Sequence, residues 1–290
     1  LKKYNLPTLT SALVRIHNPR NENDATVARK RFAFEEVFLI QLSRQQERKK
    51  ISENKSYQIT VDKSDVGEFV KRFPFQATDA QNRVIEQILT DFTKGHPMGR
   101  LLEGDVGSGK TAVAATVSYS IIKNRPFDQT KNKIQTFGSL QVAYMAPTEI
   151  LATQLFENFI QYFKHTGINI GLITGSGCRK FPSKVASSSV NGGWTSISRA
   201  QLLKWTENGE IPILIGTHTL IQKSVKFKHL GLVIIDEQHR FGTLQRAKLA
   251  KKESIGLVAP HLLSMTATPI PRTLALTIYG DLDISLLDQM

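Results

Sequence analysis

The sequence predicts an α/β protein with a mostly parallel central sheet, preceded by a helical appendage. Three observations predict it. From residue 100 onward short apolar runs alternate with helical stretches, each run ends in Gly, Pro, Thr or Asp, and residues 1–60 instead show helical periodicity with an excess of cations. Buried parallel strands read as unbroken apolar runs because helices cover both faces of their sheet.

The appendage comes first in the chain. Residues 1–60 hold 12 Lys and Arg against 6 Asp and Glu, and Ala28 to Lys50 places Phe34, Val37, Phe38 and Leu42 at helical spacing. A long helix is expected there. Its RQQERKK end reads either as a solvated C-terminus, where cations oppose the helix dipole, or as a patch facing a polyanion. The expected division is a helical region over 1–70 and the sheet domain over 71–290.

Six runs are expected as strands: RLLEG, QVAYMAP, INIGLITG, IPILIGT, LGLVIIDE and HLLSMTAT. In such sheets ligands bind beyond the carboxyl ends of the strands, and every suggestive motif here sits at one of those ends. Residues 124–139 and 176–198 interrupt the rhythm with Ser, Asn, Gly and Lys, as surface insertions or mobile loops do. The second holds Arg179, Lys180 and Lys184 with no acidic residue, which suits a solvated loop or a polyanion contact.

Composition narrows the class. The formal charge of +13 and pI near 9.8 favour a polyanionic partner, with nucleic acid the leading candidate. No apolar run approaches the roughly 18 residues of a membrane span, and LKKYNLPTLT lacks a signal-peptide core, so a cytoplasmic location is expected. Cys178 is the sole cysteine, which excludes an internal disulfide and a cysteine-rich metal site. A first residue that is Leu1 and an end at Met290 without tail-like composition give the expectation of a piece of a longer polypeptide.

The phosphate site is the sharpest motif. GDVGSGKT, comprising Gly104, Asp105, Val106, Gly107, Ser108, Gly109, Lys110 and Thr111, fits the P-loop pattern at every defined position, between an apolar run and a helical stretch. Glycines let consecutive N–H groups turn toward phosphate oxygens at a helix N-terminus. Lys110 would reach the β and γ phosphates of ATP, and the Thr111 hydroxyl would ligate Mg²⁺. LVIIDEQH follows as an apolar strand ending in two carboxylates: Asp236 suits a metal-bound water, and Glu237 suits polarising an attacking water. In PFQATDAQ the amide of Gln81 suits an adenine edge, and Phe73 or Phe75 suits stacking on a base. Read singly, Phe75 is a core residue and Gln81 lies on a helix surface.

Taken in order, PFQATDAQ, GDVGSGKT, APTEILATQ, GTHTLIQ, DEQHRFG and SMTATPIPRT resemble motifs Q, I, Ia, Ib, II and III of the superfamily 2 helicases. DEQHRFG with TATPIPRTLAL and DLDIS, behind LPTLTSALVRIHNP and ARKRFAFEEVFLIQL, is more closely similar to the RecG family of ATP-dependent branched-DNA translocases. The transcription-repair coupling translocases share TATPIPRT but carry DEEQRFG, so Gln238 and His239 favour RecG. Ala77 and the two insertions depart from the usual pattern.

The resemblance implies a RecA-like P-loop domain that remodels stalled forks and Holliday junctions in recombination and repair. It also implies a wedge domain ahead of residue 1 and, after residue 290, a second RecA-like domain with the arginine finger. It places Pro147, Thr148, Glu149, Thr174, Gly175, Gly216, Thr217 and His218 against one DNA strand. Taken singly, these read as helix caps after strands, Thr148 most clearly. It makes Gln238, His239, Thr266, Ala267 and Thr268 coupling residues, with Pro269 and Pro271 stiffening the turn before a helix near Arg272. The implied partner is branched double-stranded DNA, with single-stranded DNA-binding protein as an accessory candidate. A monomer in the bacterial cytoplasm, associated with the nucleoid and not with a membrane, is implied. Two alternatives stand beside this: a translocase on unbranched duplex, and a nucleotide-dependent DNA-binding module without motor activity.

Overall fold

The structure, a computed structural model, describes residues 4–128, 133–134, 138–183, 193–237, 258–268 and 282–289. They fall into two compact units that divide between Ile51 and Ser52.

The smaller unit holds α1 (Leu9–His17) and α2 (Glu22–Ser52). Thr8 caps α1, its hydroxyl oxygen accepting from the Ser11 N–H at 3.3 Å, and Arg15 pairs with Asp24 at 3.5 Å. Tyr4, Phe34 and Phe38 form a row of rings with centroids 5.5 and 6.2 Å apart. The expected long helix is present, but Phe34, Val37, Phe38 and Leu42 lie exposed along it.

The larger unit begins with an extended segment and α3 (Lys63–Val70), whose N-cap Asp62 accepts from the Ser64 and Asp65 N–H groups. Ile59, Val66 and Phe69 are buried in the main core. Residues 52–70, expected with the helical region, thus belong to the larger compact unit. The reason is physical: these few apolar residues, scattered in polar sequence, find their partners far away in the chain.

Helix α4 (Asp79–Phe92) starts at a capping box, with Thr78 and Gln81 exchanging side-chain bonds to each other's backbone N–H. Then follow β1 (Gly99–Gly104), α5 (Lys110–Lys123) and a two-residue antiparallel pair, β2 (Phe127–Asp128) with β3 (Lys133–Ile134). Next come β4 (Gln141–Met145), α6 (Glu149–Phe163), β5 (Ile170–Ile173), β6 (Cys178–Phe181), β7 (Thr195–Ile197), α7 (Arg199–Glu207) and β8 (Ile213–Gly216). A 3₁₀ turn (His218–Ile221), β9 (Leu230–Ile235), β10 (His261–Thr266) and β11 (Asp283–Leu287) complete the described order.

Among the described residues nine strands form one sheet in the order β11-β1-β10-β9-β4-β8-β5-β6-β7. Every pairing is parallel except β5 with β6 and β6 with β7. All six expected runs are strands. Among the described residues of 176–198, β6 and β7 form an antiparallel extension of the sheet, where a surface loop was expected. The Arg179 guanidinium over the Trp194 ring, 4.2 Å from its centroid, helps hold that extension.

Alternation along β4 shows why the runs are unbroken. Val142 and Tyr144 enter one buried cluster, while Ala143 and Met145 enter another. Both faces are covered, so a buried amide is costly unless its groups are bonded. Those of Gln141 are: its amide donates to the carbonyls of Thr206 and Ile211 at 2.9 Å each and accepts from the Lys228 and His229 N–H groups at 2.7 and 3.0 Å.

Candidate nucleotide and nucleic-acid site

The strand order decides what meets at the carboxyl edge. β10 lies between β1 and β9, with Glu103 opposite Thr266 and Ser264 opposite Ile235. The chain therefore leaves the sheet at Gly104, Asp236 and Ala267 from three adjacent strands. Three motifs far apart in sequence become neighbours.

Gly107 and Gly109 take left-handed φ values of 89° and 84°, which wind residues 104–109 into a loop closed by the first turn of α5. Lys110 Nζ donates to the carbonyl oxygens of Gly104 and Asp105 at 2.6 and 2.8 Å, so the cation sits over the loop. Burial lowers the Lys110 pKa, while Asp236, Glu237 and Asp105 oppose that shift. Asp105, Val106 and Gly107 are exposed, Ser108 is buried with its hydroxyl unpartnered, and Thr111 is half-buried in the first turn of α5.

Asp236 is held at the exit of β9 by its N–H, which donates to the Met145 carbonyl at 2.9 Å. Its Oδ1 accepts from the Glu237 N–H at 3.0 Å, and Glu237 has a positive φ of 50°, unusual for a residue other than glycine. Burial, then the Glu237 charge, raises the Asp236 carboxyl to about 6. Two adjoining carboxylates, one held up by burial, near Lys110 form a hard oxygen donor set. The residues fit Mg²⁺.

Gln81 and Phe75 reverse their single-residue readings. Gln81 is buried, and its Nε2 donates to the Ser108 carbonyl at 2.9 Å while Oε1 accepts from the Thr78 N–H at 3.1 Å. Phe75 is 42% exposed, and Phe73 is the core ring. An exposed ring three residues ahead of the Thr78 cap, in the segment leading to Gln81, suits stacking on a base.

At the exit of β10, Thr266 is buried, its hydroxyl paired with that of Thr268 at 2.9 Å and accepting from the Thr268 N–H at 3.2 Å. Ala267 is half-buried. Gln238, His239, Pro269, Pro271 and Arg272 lie outside the described residues.

The other loops leave the same edge from β4, β8 and β5. Thr148 is the N-cap of α6, accepting from the Leu151 N–H at 3.2 Å, so the capping reading holds. Thr174 is buried and its hydroxyl donates to the Gly177 carbonyl at 3.0 Å, fixing a turn. Gly216 packs on β5, where a Cβ would lie 2.6 Å from the Ile173 carbonyl oxygen. Thr217 is buried with an unpartnered hydroxyl, while Thr148, Gly175 and His218 are exposed and Pro147 and Glu149 half-buried.

Sequence reasoning missed the Gln81 tie to Ser108 and the attachment of β11 to α4. Gln289 Oε1 accepts from the Ala80 N–H at 2.9 Å, and Arg83 pairs with Asp288 at 2.7 Å. Neither has a local signal, since each joins residues far apart in sequence. No helix among the described residues is long and apolar enough to cross a membrane.

Residues 78–277 match the DEAD/DEAH box helicase family. The chain is 40% identical over 296 residues to the ATP-dependent DNA helicase RecG of Aquifex aeolicus (strain VF5), covering all of this chain and 33% of that protein. It is 41% identical over 290 residues to RecG of Bacillus subtilis (strain 168), covering all of this chain and 37% of that one. A solved structure of RecG bound to a three-way DNA junction superposes with a TM-score of 0.75 at 35% identity, over all of this chain and 34% of that one. The chain thus spans about a third of the length of these relatives. With its RecA-like sheet carrying the phosphate loop, the paired carboxylates and the threonine turn on adjacent strands, the chain belongs to the DEAD/DEAH box helicase family and is similar along its whole length to RecG.

Proposed function

We propose that this chain is the helical linker and first motor domain of a RecG-type DNA helicase that remodels branched DNA with MgATP in recombination and repair. The observation that carries this reading is the shared edge: phosphate loop, carboxylates and threonine turn leave β1, β9 and β10, while the Pro147, Gly175 and His218 loops leave β4, β5 and β8. A nucleotide and a nucleic-acid strand would lie on one rim of one sheet. The relatives described above are named RecG, and the solved relative holds a three-way DNA junction, which supports branched DNA over plain duplex.

The geometry supports a role for each residue. The loop amides and Lys110 would bind and neutralise the phosphates, and Phe75 would stack on the base. Thr111 and Asp236 would hold Mg²⁺, which when bound supplies charge neutralisation at the phosphates. Glu237, set apart from Asp236 by its backbone turn, would orient or activate the attacking water. Thr266, between the phosphate-loop strand and the carboxylate strand, would report the γ-phosphate to the DNA rim. We assign the protein to the bacterial cytoplasm and nucleoid, acting as a monomer, with single-stranded DNA-binding protein as an accessory partner.

The test is strand displacement by the full-length protein. A three-way junction should be unwound with MgATP, and Lys110→Ala should abolish this. Equal action on a linear duplex would replace the reading with the duplex translocase, and nucleotide-dependent binding without displacement would leave a binding module.

A further inference from the structure

Glu149 is the first residue of α6, where an acidic side chain favours the helix dipole. Its carboxylate does more than that. Oε1 accepts from the Gly175 N–H at 2.7 Å across the rim. The Ser176 hydroxyl, the Gly175 N–H, the Ser176 N–H and the nearby His218 together hold Glu149 below the usual carboxylate range. One side chain therefore joins the loops that follow β4 and β5, next to the one that follows β8.

The approach depends on glycine at 175. A Cβ there would stand 2.6 Å from Glu149 Oε1, and among the described residues, its chain neighbours aside, the atoms within 4 Å of it belong to Glu149. Gly175 is not among the residues with left-handed φ, so its backbone tolerates any side chain. A side chain there would push the Glu149 carboxylate off the Gly175 N–H. A carboxylate is also a poor phosphate contact, because like charges repel.

We propose that Glu149 is a positioning residue whose carboxylate clasps the 174–177 turn, fixing the exposed Gly175, Ser176 and Gly177 for a DNA strand without itself touching the DNA. This rests on the nucleic-acid reading of the rim given above. Glu149 acts through the turn.

The glycine makes a clean test. In the full-length protein, at one fixed salt concentration, binding of a fluorescent three-way junction is measured for Gly175→Ala, Glu149→Ala, the double variant and Glu149→Gln. Each alanine variant should weaken binding about tenfold, and the double variant no further, because removing the carboxylate frees the space that the new Cβ needs. Glu149→Gln, which keeps an oxygen acceptor, should recover most of the affinity. Hydrogen exchange should quicken at Gly175 and Ser176 in Glu149→Ala while the sheet keeps its protection. Additive losses, wild-type affinity in either single variant, tighter binding by Glu149→Ala or unchanged exchange would each overturn the clasp. A wild-type protein without affinity for the junction would instead remove the DNA reading, and the exchange rates would still decide whether Glu149 holds the turn.

Discussion

Gln81 donates its side-chain amide to the carbonyl of Ser108, 2.9 Å away, so the first turn of α4 and the phosphate loop form one hydrogen-bonded unit. A Cβ on Gly109 would collide with that same amide, which keeps the loop in reach of Gln81. Replacing Gln81 by Ala removes both the tie and half of the capping box. We expect a stability loss of about 1–2 kcal/mol in thermal unfolding, together with weaker ATP binding by titration. A stability loss with unaltered ATP affinity would make the tie structural only.

Gln141 satisfies four backbone groups in a fully buried position. Gln141→Leu keeps the volume and takes their partner from the Ile211 carbonyl and the Lys228 and His229 N–H groups, while the Thr206 carbonyl keeps the Gly209 N–H at 3.1 Å. The expected cost is about 2–4 kcal/mol, read as a lower denaturation midpoint with an unchanged m-value. A loss below about 1 kcal/mol would mean that water replaces the amide.

His261 makes folding pH-dependent. Its Nδ1 accepts from the Met98 N–H at 3.0 Å, so Nε2 carries the proton and donates to the Tyr57 carbonyl at 2.9 Å. Burial pushes its pKa down from the ordinary 6.5 to about 4. The unfolded chain therefore takes up a proton between about 6.5 and 4 while the folded chain does not, and stability falls as pH drops through that window. The loss from this group is at most about 3 kcal/mol. In His261→Asn the amide still accepts from Met98 but loses Tyr57, so the variant should be less stable at pH 7 and close the gap by pH 4.5. A gap that stays constant with pH would contradict this.

Asp236 is costly to bury. Its carboxyl is raised to about 6, first by desolvation and then by Glu237. Asp236→Asn keeps the shape and removes the charge, so the nucleotide-free protein should become more stable at pH 7.5 by about 1–3 kcal/mol while losing turnover. A destabilised variant would show that the carboxylate is well paired in the fold.

What was legible in the sequence follows from locality. The six buried strands could be read because a strand covered on both faces admits almost nothing polar, and the phosphate loop could be read because its glycines must recur at fixed spacing. β6 and β7 could not, because their stability comes from edge pairing and from contacts such as Arg179 on Trp194, which leave only a polar sequence behind. β11 hid for a similar reason: DISLL mixes buried, half-buried and exposed positions, and one of its buried positions is the polar Ser285. The acidic, exposed and glycine residues of the rim were visible as a set. That Glu149 faces Gly175, or that the Thr174 hydroxyl is spent on its own turn, is visible only once β5 and β4 are placed on either side of β8.

The most direct measurement of the central claim is ATP turnover by the full-length protein with Mg²⁺ and forked DNA, linear duplex or no DNA, with Lys110→Ala as the blank. The account predicts turnover that is strongest with the fork and absent in the blank, because Lys110 sits over the loop that would bind the phosphates. Fork-stimulated turnover that survives Lys110→Ala, or no turnover above the blank with any DNA, would contradict it.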